Sequence, residues 1–332
     1  MEKKMTQTAL HEQKGFKFFS IRNKMIAAFA LFAVSILAVV YIVAVYLASV
    51  SLLNNTQYFL KELVKSSSKV LDERSQALFG KLEAFSNLPA IQEEALSYRN
   101  KIDLFKNEIQ MQKQRGWLSF GICGLDGMLY RTDDTVEKVT DTDWFQTAIK
   151  GKYIITEPAL SATERRYISI VAIPMRDLQG KITGVINATV LGDSLSNLIS
   201  DIIVGETGTA YLISPSGTIL GNRRPEILYK SIYSEIIGSE TSEFAQFLKQ
   251  ALSSHKSAVN VSDINGVRCI SVASSMRYAN WTLLLTAPVS EFMAENVANL
   301  IKTFIVIALS QLIIAIAFGF FIARNITHPI ML

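Results

Sequence analysis

Two long stretches without a charged residue, 25–60 and 303–323, bracket a middle region of mixed composition. A helix that crosses the ~30 Å hydrocarbon core of a bilayer needs about 20 consecutive apolar residues, because charges are costly there and every backbone amide must be paired within the helix. Both stretches meet that length. We therefore predict two transmembrane helices, 25–50 and 301–323, on either side of a water-exposed domain.

The charges beside these stretches predict their orientation. Six lysines and arginines against two glutamates precede residue 25, and Arg324 follows the second stretch. Because segments rich in Lys and Arg remain in the cytoplasm, we expect a cytoplasmic tail at 1–24 and an extracytoplasmic region at about 50–300. A cleaved signal peptide is the alternative for the first stretch, but its apolar run exceeds the usual about 7–15 residues.

Composition argues against several classes of function. The net charge of +4 comes largely from the tail, which leaves no basic field for nucleic acid in the middle region. Two of the three histidines, His11 and His328, fall on the expected cytoplasmic side, so a His-based metal cluster or a Ser-His-Asp triad outside is not expected. We expect no enzyme activity, no cofactor, no metal and no nucleic acid. Cys123 and Cys269 lie in separate apolar runs and are interpreted as packing residues.

Residues 51–87 have the pattern of one long amphipathic helix. Apolar side chains recur at helical spacing among Lys, Glu, Ser and Gln, with no proline in the run. These positions are Leu60, Leu63, Val64, Val70, Leu71, Leu78, Leu82 and Phe85. Residues 90–114 resume a helical pattern, which we read as a continuation of helix after the break at Pro89.

The remainder of the middle region is predicted to be β-rich and duplicated. Hairpins at 117–130 and 209–220 place Gly127 and Gly217 at equivalent turns, 90 residues apart. Further strands are expected at 153–160, 166–175 and 182–191. The fold class is therefore α+β: one long helix carrying two antiparallel modules, 88–192 and 193–298.

These segments resemble the double Cache (dCache) sensor domain of bacterial transmembrane receptors of the methyl-accepting chemotaxis type. Asp143-Trp144-Phe145 is similar to the family's helix motif, and residues 205–213 resemble the start of its second PAS-like module. Residues 324–332 are similar to the beginning of a HAMP linker. The resemblance implies a homodimer in the bacterial inner membrane. It also implies a small ligand in the first module and cytoplasmic signalling proteins reached through an output domain beyond residue 332.

The resemblance also bears on the ligand. Family members that sense amino acids carry an Arg two residues before the motif Trp and an Asp on the last strand, which hold the ligand's carboxylate and ammonium. Thr142 and Thr189 stand near those places, and Ala159 and Ser161 fall near a Tyr-x-Asp pair. Since a buried zwitterion needs opposite charges at fixed positions, we expect a ligand other than a standard α-amino acid.

Seven residues are candidates for ligand binding. Trp144 would stack on a ligand or fill the core, and Arg165 would clamp an anion or remain solvated. Polar residues within apolar strands would bond to a ligand or to the protein itself. The set is Thr142, Trp144, Arg165, Tyr167, Ser169, Asn187 and Thr189.

The expected function is that of a transmembrane chemoreceptor which signals through its second membrane helix. The sensor of a histidine kinase or of a diguanylate cyclase is the alternative, because such receptors share this outer domain. A membrane-anchored enzyme and an assembly protein without a ligand are further alternatives.

Overall fold

A computed structural model describes residues 21–93, 95–113, 116–162, 164–237, 242–254 and 257–327. The beginning of the HAMP-like segment is described up to Thr327, and residues 1–20 lie outside the described part. The chain divides into two compact units. One comprises Met1–Ser51 with Ala294–Leu332, and the other is Leu52–Met293.

Two long helices provide most of the first unit. Helix α1 spans Ile21–Ser86 and the last helix, α8, spans Val289–Thr327. Both are long and apolar enough to cross a membrane, as judged by length and composition. Within this unit the rings of Tyr41 and Phe304 lie 4.0 Å apart, centroid to centroid.

Short helices and a large antiparallel sheet follow α1 in the second unit. In the described residues this sheet has seven strands in the order β3-β2-β1-β7-β6-β4, with β5 paired to β6. The helices are α2 Pro89–Gln92, α3 Tyr98–Asp103, α4 Lys106–Gln112 and α5 Asp143–Ala148. The strands are β1 Trp117–Gly124, β2 Met128–Arg131, β3 Val136–Lys138, β4 Ile154–Ile155, β5 Ala159–Leu160, β6 Tyr167–Arg176 and β7 Ile182–Leu191.

A second sheet repeats this arrangement. Across the described residues it has five antiparallel strands in the order β10-β11-β12-β8-β9. The strands are β8 Thr209–Ile213, β9 Ile219–Gly221, β10 Ala258–Ile264, β11 Val267–Ser275 and β12 Thr282–Pro288, accompanied by helices α6 Ser194–Ile199 and α7 Glu243–Ser254. In both sheets the opening hairpin pairs with the last strand, so β1 corresponds to β8 and β7 to β12. Gly127 and Gly217 have φ values of 71° and 86° at the matching turns, a conformation that glycine adopts without strain.

One hydrophobic core joins α1 to both sheets. Leu60, Val64 and Leu71 of α1 are at most 1% exposed and belong to the same cluster as Ile122 of the first sheet and Leu212 of the second. Fully burying one such side chain contributes about 1.5–3 kcal/mol. The α+β fold with one long helix and two PAS-like modules is therefore confirmed.

Two segments differ from the sequence pattern. The described residues between 89 and 113 form three short helices, because the chain turns at Glu93 and again at Leu104 and Phe105. The run 153–160 forms two two-residue strands, β4 and β5, that pair with different parts of β6.

Candidate functional site

The first sheet has two differently covered faces. Phe120, Ile186 and Ala188 point to the side packed against α1. On the other side, Cys123, Leu129, Ala172 and Val185 form a separate cluster with Trp144, Phe145 and Ala148 of α5. We call this second side the α5 face.

Strand register places a row of residues across the α5 face. Gly121 of β1 pairs with Arg131 of β2 on one side and with Asn187 of β7 on the other, and Asn187 pairs with Ala172 of β6. A Cβ atom at Gly121 would lie 2.2 Å from Asn187 Oδ1. The glycine therefore leaves space for the Asn187 amide between two strands.

Several polar atoms of this row are buried and lack hydrogen-bond partners in the described part of the chain. Asn187 is 1% exposed, and neither its Oδ1 nor its Nδ2 has a hydrogen-bond partner among the described residues. Arg131 donates from Nη1 to Thr189 Oγ1 at 3.3 Å and from Nη2 to Glu137, whereas its buried Nε has no partner in the described part of the chain. Leaving such groups unpaired costs about 1–3 kcal/mol each, so a bound molecule that pairs them would be stabilised.

Three predicted site residues lie on the α5 face. Trp144 is 5% exposed and packs edge-on against Phe145, with centroids 6.1 Å apart. Asn187 and Thr189 occupy neighbouring positions on that side of β7. Thr142 precedes α5, but its hydroxyl donates to the Val139 carbonyl at 2.8 Å, so this side chain is already bonded to the protein.

The other three predicted residues lie elsewhere. Ser169 pairs with Val190 and therefore belongs to the side facing α1, where it is fully buried. Tyr167 stacks on Tyr229 with centroids 3.8 Å apart. Arg165 is exposed in a turn with φ 53°, held by a bond from its backbone N–H to the Ser161 carbonyl at 2.9 Å. The structure does not bring these side chains together with Asn187.

Arg131 and Gly121 were missed by the sequence analysis. The hairpin was expected to end at Tyr130, one residue before the arginine that faces the site. Alternation along β2 contains the needed signal, because Leu129 and Arg131 must share a face. A cation at an inward position of a strand is rare enough to mark it as a candidate.

The thiol on this face is not suited to nucleophilic chemistry. Burial, with a smaller contribution from the negative charge of Asp126, raises the pKa of Cys123 to about 12 and outweighs an opposing interaction with the Val185 backbone. The thiol is therefore protonated at neutral pH. No group of three or more His, Cys, Asp and Glu side chains within the described residues is arranged to hold a metal ion.

A cavity of about 490 Å³ lies apart from this row. Its lining includes Tyr98, Lys101, Arg176 and Thr183 and none of the seven predicted residues. Tyr98 donates to the Thr183 carbonyl at 3.3 Å, and burial raises the pKa of its hydroxyl. The Lys101 amine lies 5.5 Å from the centre of the Tyr98 ring.

The fold defines a class of protein: an α+β domain of two PAS-like modules carried by one long helix. The family profile described as Cache domain, in its double form dCache, matches residues 41–295. The chain therefore belongs to the Cache domain family.

Solved structures share this fold. The ligand-binding domain of the Campylobacter jejuni chemoreceptor Tlp3, in complex with 4-methylisoleucine, matches with a TM-score of 0.55 and 16% identity, over 73% of this chain and 94% of that one. The ligand-binding domain of the Pseudomonas aeruginosa PAO1 amino acid chemoreceptor PctC, in complex with GABA, matches with a TM-score of 0.53 and 15% identity, over 70% and 99%.

A sequence relative is the methyl-accepting chemotaxis protein PscA of Pseudomonas syringae pv. tomato. It is 29% identical over 90 residues, which is 27% of this chain. The match spans 14% of the length of that relative.

Proposed function

We propose that this chain is the sensing part of a transmembrane chemoreceptor, which binds a small extracytoplasmic molecule on the α5 face. The observation that carries the proposal is the buried Asn187 amide, whose donor and acceptor both lack a partner among the described residues. Membership of the Cache family and the similarity to PscA support a sensory role. The proposed role is binding and signalling, without catalysis.

The ligand proposed is a molecule other than a standard α-amino acid. Tlp3 and PctC have been crystallised with amino-acid compounds. Here the position expected to hold an amino acid's carboxylate is the uncharged Thr142, whose hydroxyl bonds to Val139. Thr189, near the expected ammonium partner, is uncharged and accepts a bond from Arg131.

The proposed signal passes from the second unit to α8 and across the inner membrane to cytoplasmic proteins. Ligand must favour one of two arrangements, with a coupling of typically about 1–3 kcal/mol. We further propose a homodimer. Gln311, a polar side chain exposed along α8, supports this part because polar groups bond across helix interfaces in membranes.

Ligand screening on the 332-residue chain tests the proposal. The chain in lipid nanodiscs is heated with amino acids, organic acids, amines and purines, and unfolding is followed by fluorescence of its three tryptophans. A ligand at about 100 times its Kd should add about 2.7 kcal/mol of stability. Asn187→Ala should abolish the shift, whereas Asn222→Ala, a buried asparagine of the second module, should retain it.

A hybrid receptor tests signalling. Residues 1–332 are joined to the cytoplasmic part of a characterised chemoreceptor, and swimming behaviour is recorded on addition of the stabilising compound. A response that Asn187→Ala removes supports the proposal. Absence of any stabilising compound together with a silent hybrid would contradict it.

A further inference from the structure

We propose that the α5 face selects a small hydroxycarboxylate, with the ligand carboxylate on Arg131 and its hydroxyl on the Asn187 amide. The inference rests on the proposed function, since it specifies the ligand class of the same site. It follows from the bonds that these two side chains leave open.

Arg131 is positioned to receive a carboxylate. Its side chain is 16% exposed and is held by Thr189 on β7 and by Glu137 on β3. Nε remains buried without a partner among the described atoms. A guanidinium matches a carboxylate because its parallel N–H groups meet two oxygens, and it stays charged at any physiological pH.

The Glu137 carboxylate does not replace the ligand carboxylate that we propose on Arg131. Its side chain is 51% exposed, on a strand whose three residues are all exposed. An ion pair with one partner in solvent is worth only about 0–1 kcal/mol. A ligand carboxylate enclosed by the α5 face would interact with Arg131 in a less polar environment.

Asn187 favours a hydroxyl over an ammonium beside that carboxylate. Its amide has an open acceptor, Oδ1, and an open donor, Nδ2. A hydroxyl both donates and accepts, so it satisfies both atoms, whereas an ammonium only donates. Glu137, an acid bonded to this polar row, pairs with Arg131. Asn187 itself carries no charge to balance an ammonium.

Distances across the sheet suit a small ligand. Arg131 and Asn187 are on strands separated by β1, which corresponds to about 9.6 Å at the usual strand spacing of ~4.8 Å. Gly121 stands between them without a side chain, and the Asn187 amide extends over it toward β2. The Arg131 guanidinium reaches across to Thr189, which lies two residues from Asn187 on the same face of β7.

The experiment compares ligand pairs with the same carbon skeleton on the unmodified chain. Binding to the 332-residue chain in nanodiscs is measured by calorimetry for L-lactate and L-alanine, L-malate and L-aspartate, and 2-hydroxyisocaproate and L-leucine. In at least one pair the hydroxy acid should bind at least about 100-fold more tightly, the discrimination that unpaired buried groups can give. The amide of that hydroxy acid, which lacks the carboxylate charge, should lose at least about tenfold.

Variants then assign the contacts. Arg131→Gln and Asn187→Ala should each weaken the hydroxy acid by about tenfold or more. Arg268→Gln, at an exposed arginine of β11 in the second sheet, is the matched control and should leave the affinity unchanged. The ligand pairs are compared on the unmodified chain. That comparison therefore remains valid even if Arg131→Gln does not fold.

Three results would overturn the inference. They are equal binding of the two members in every pair that binds, unchanged affinity in folded Arg131→Gln, and no binding of any hydroxycarboxylate. If amines, purines or amino acids bind independently of Arg131, the inference fails while the proposed sensor function stands. If no compound of any class binds and the hybrid receptor is silent, the proposed function fails as well.

Discussion

At the scale of single residues, two buried asparagines differ in their hydrogen bonds, and we expect their substitution to change stability by different amounts. Asn222 donates to the Ala210 carbonyl at 2.8 Å and accepts from the Arg224 backbone N–H at 2.8 Å, while the Asn187 amide has no such bonds among the described residues. We expect Asn222→Ala to lower the free energy of unfolding by about 1–3 kcal/mol, because its partners lose their bonds.

Asn187→Ala should change stability far less than this, since it removes a buried polar group that the protein does not pair. Thermal unfolding of both variants without ligand checks the contrast. A larger loss for Asn187→Ala would mean that its amide has a partner within the protein.

Glu291 supplies a pH-dependent contact. It accepts from Thr207 Oγ1 at 2.6 Å, from Thr207 N at 3.1 Å and from the backbone N–H of Glu206. Burial by itself raises the pKa of Glu291, but these hydrogen bonds outweigh it and hold the pKa below the usual 4.5. A lowered pKa in the folded state means that the stabilisation is complete above the unfolded value and is lost as the pH falls through the folded value.

The corresponding test uses Glu291→Gln, with Glu226→Gln at an exposed position as control. At neutral pH, Glu291→Gln should cost about 0.5–1.5 kcal/mol, the usual contribution of a hydrogen bond. The difference from the unmodified chain should shrink as the pH falls below about 4.5 and the carboxylate is protonated. A difference that stays constant down to strongly acidic pH would contradict the assignment.

The sequence pattern could place some residues of the candidate site but not others. The pattern predicted that Asn187 and Thr189 lie in a buried strand with polar side chains inward, and the structure places them so. It could not distinguish the two faces for Ser169, because both faces of β6 are covered and alternation alone gives no direction. Arg131 could be assigned to the site only if β2 was predicted to extend to it, and the ends of strands are the part of such predictions with the largest error.

At the scale of elements, helix α1 is joined to the second module by a pair of backbone bonds. Asp72 accepts from the N–H groups of Arg277 at 2.9 Å and Tyr278 at 3.4 Å. The neighbouring Glu73 makes an exposed pair with Lys69 at 3.8 Å. We expect Asp72→Ala to cost about 1–2 kcal/mol and Glu73→Ala less than about 0.5 kcal/mol. Denaturant unfolding followed by tryptophan fluorescence measures both, and equal effects would argue against the contact.

The helix itself was largely predictable. Helical spacing identified Leu60, Val64 and Leu71 as inward positions, and all three are buried. Phe79 is 1% exposed yet was left out of that pattern, because it lies beside Leu78 and only packing decides which neighbour turns inward. Val70, which the pattern included, is 42% exposed for the same reason.

At the scale of the whole molecule, the duplicated order of strands gives two sheets of the same design with different polar content on their faces. The first has Arg131, Asn187 and Thr189 in one group, while the equivalent strands of the second, β8, β9 and β12, contain no charged residue. This difference supports the proposed placement of the ligand in the first module.

The charges near the N-terminus predict the orientation of the chain across the membrane. Six cations precede the first apolar stretch, so residues 1–24 should stay in the cytoplasm and the second unit should lie outside. Cysteines introduced by Ser253→Cys, at an exposed position, and Lys4→Cys distinguish the sides, because the native Cys123 and Cys269 are buried and give low background. A membrane-impermeant maleimide should label Ser253→Cys in intact spheroplasts and Lys4→Cys only after lysis. The reverse pattern would contradict this orientation and place the second unit in the cytoplasm.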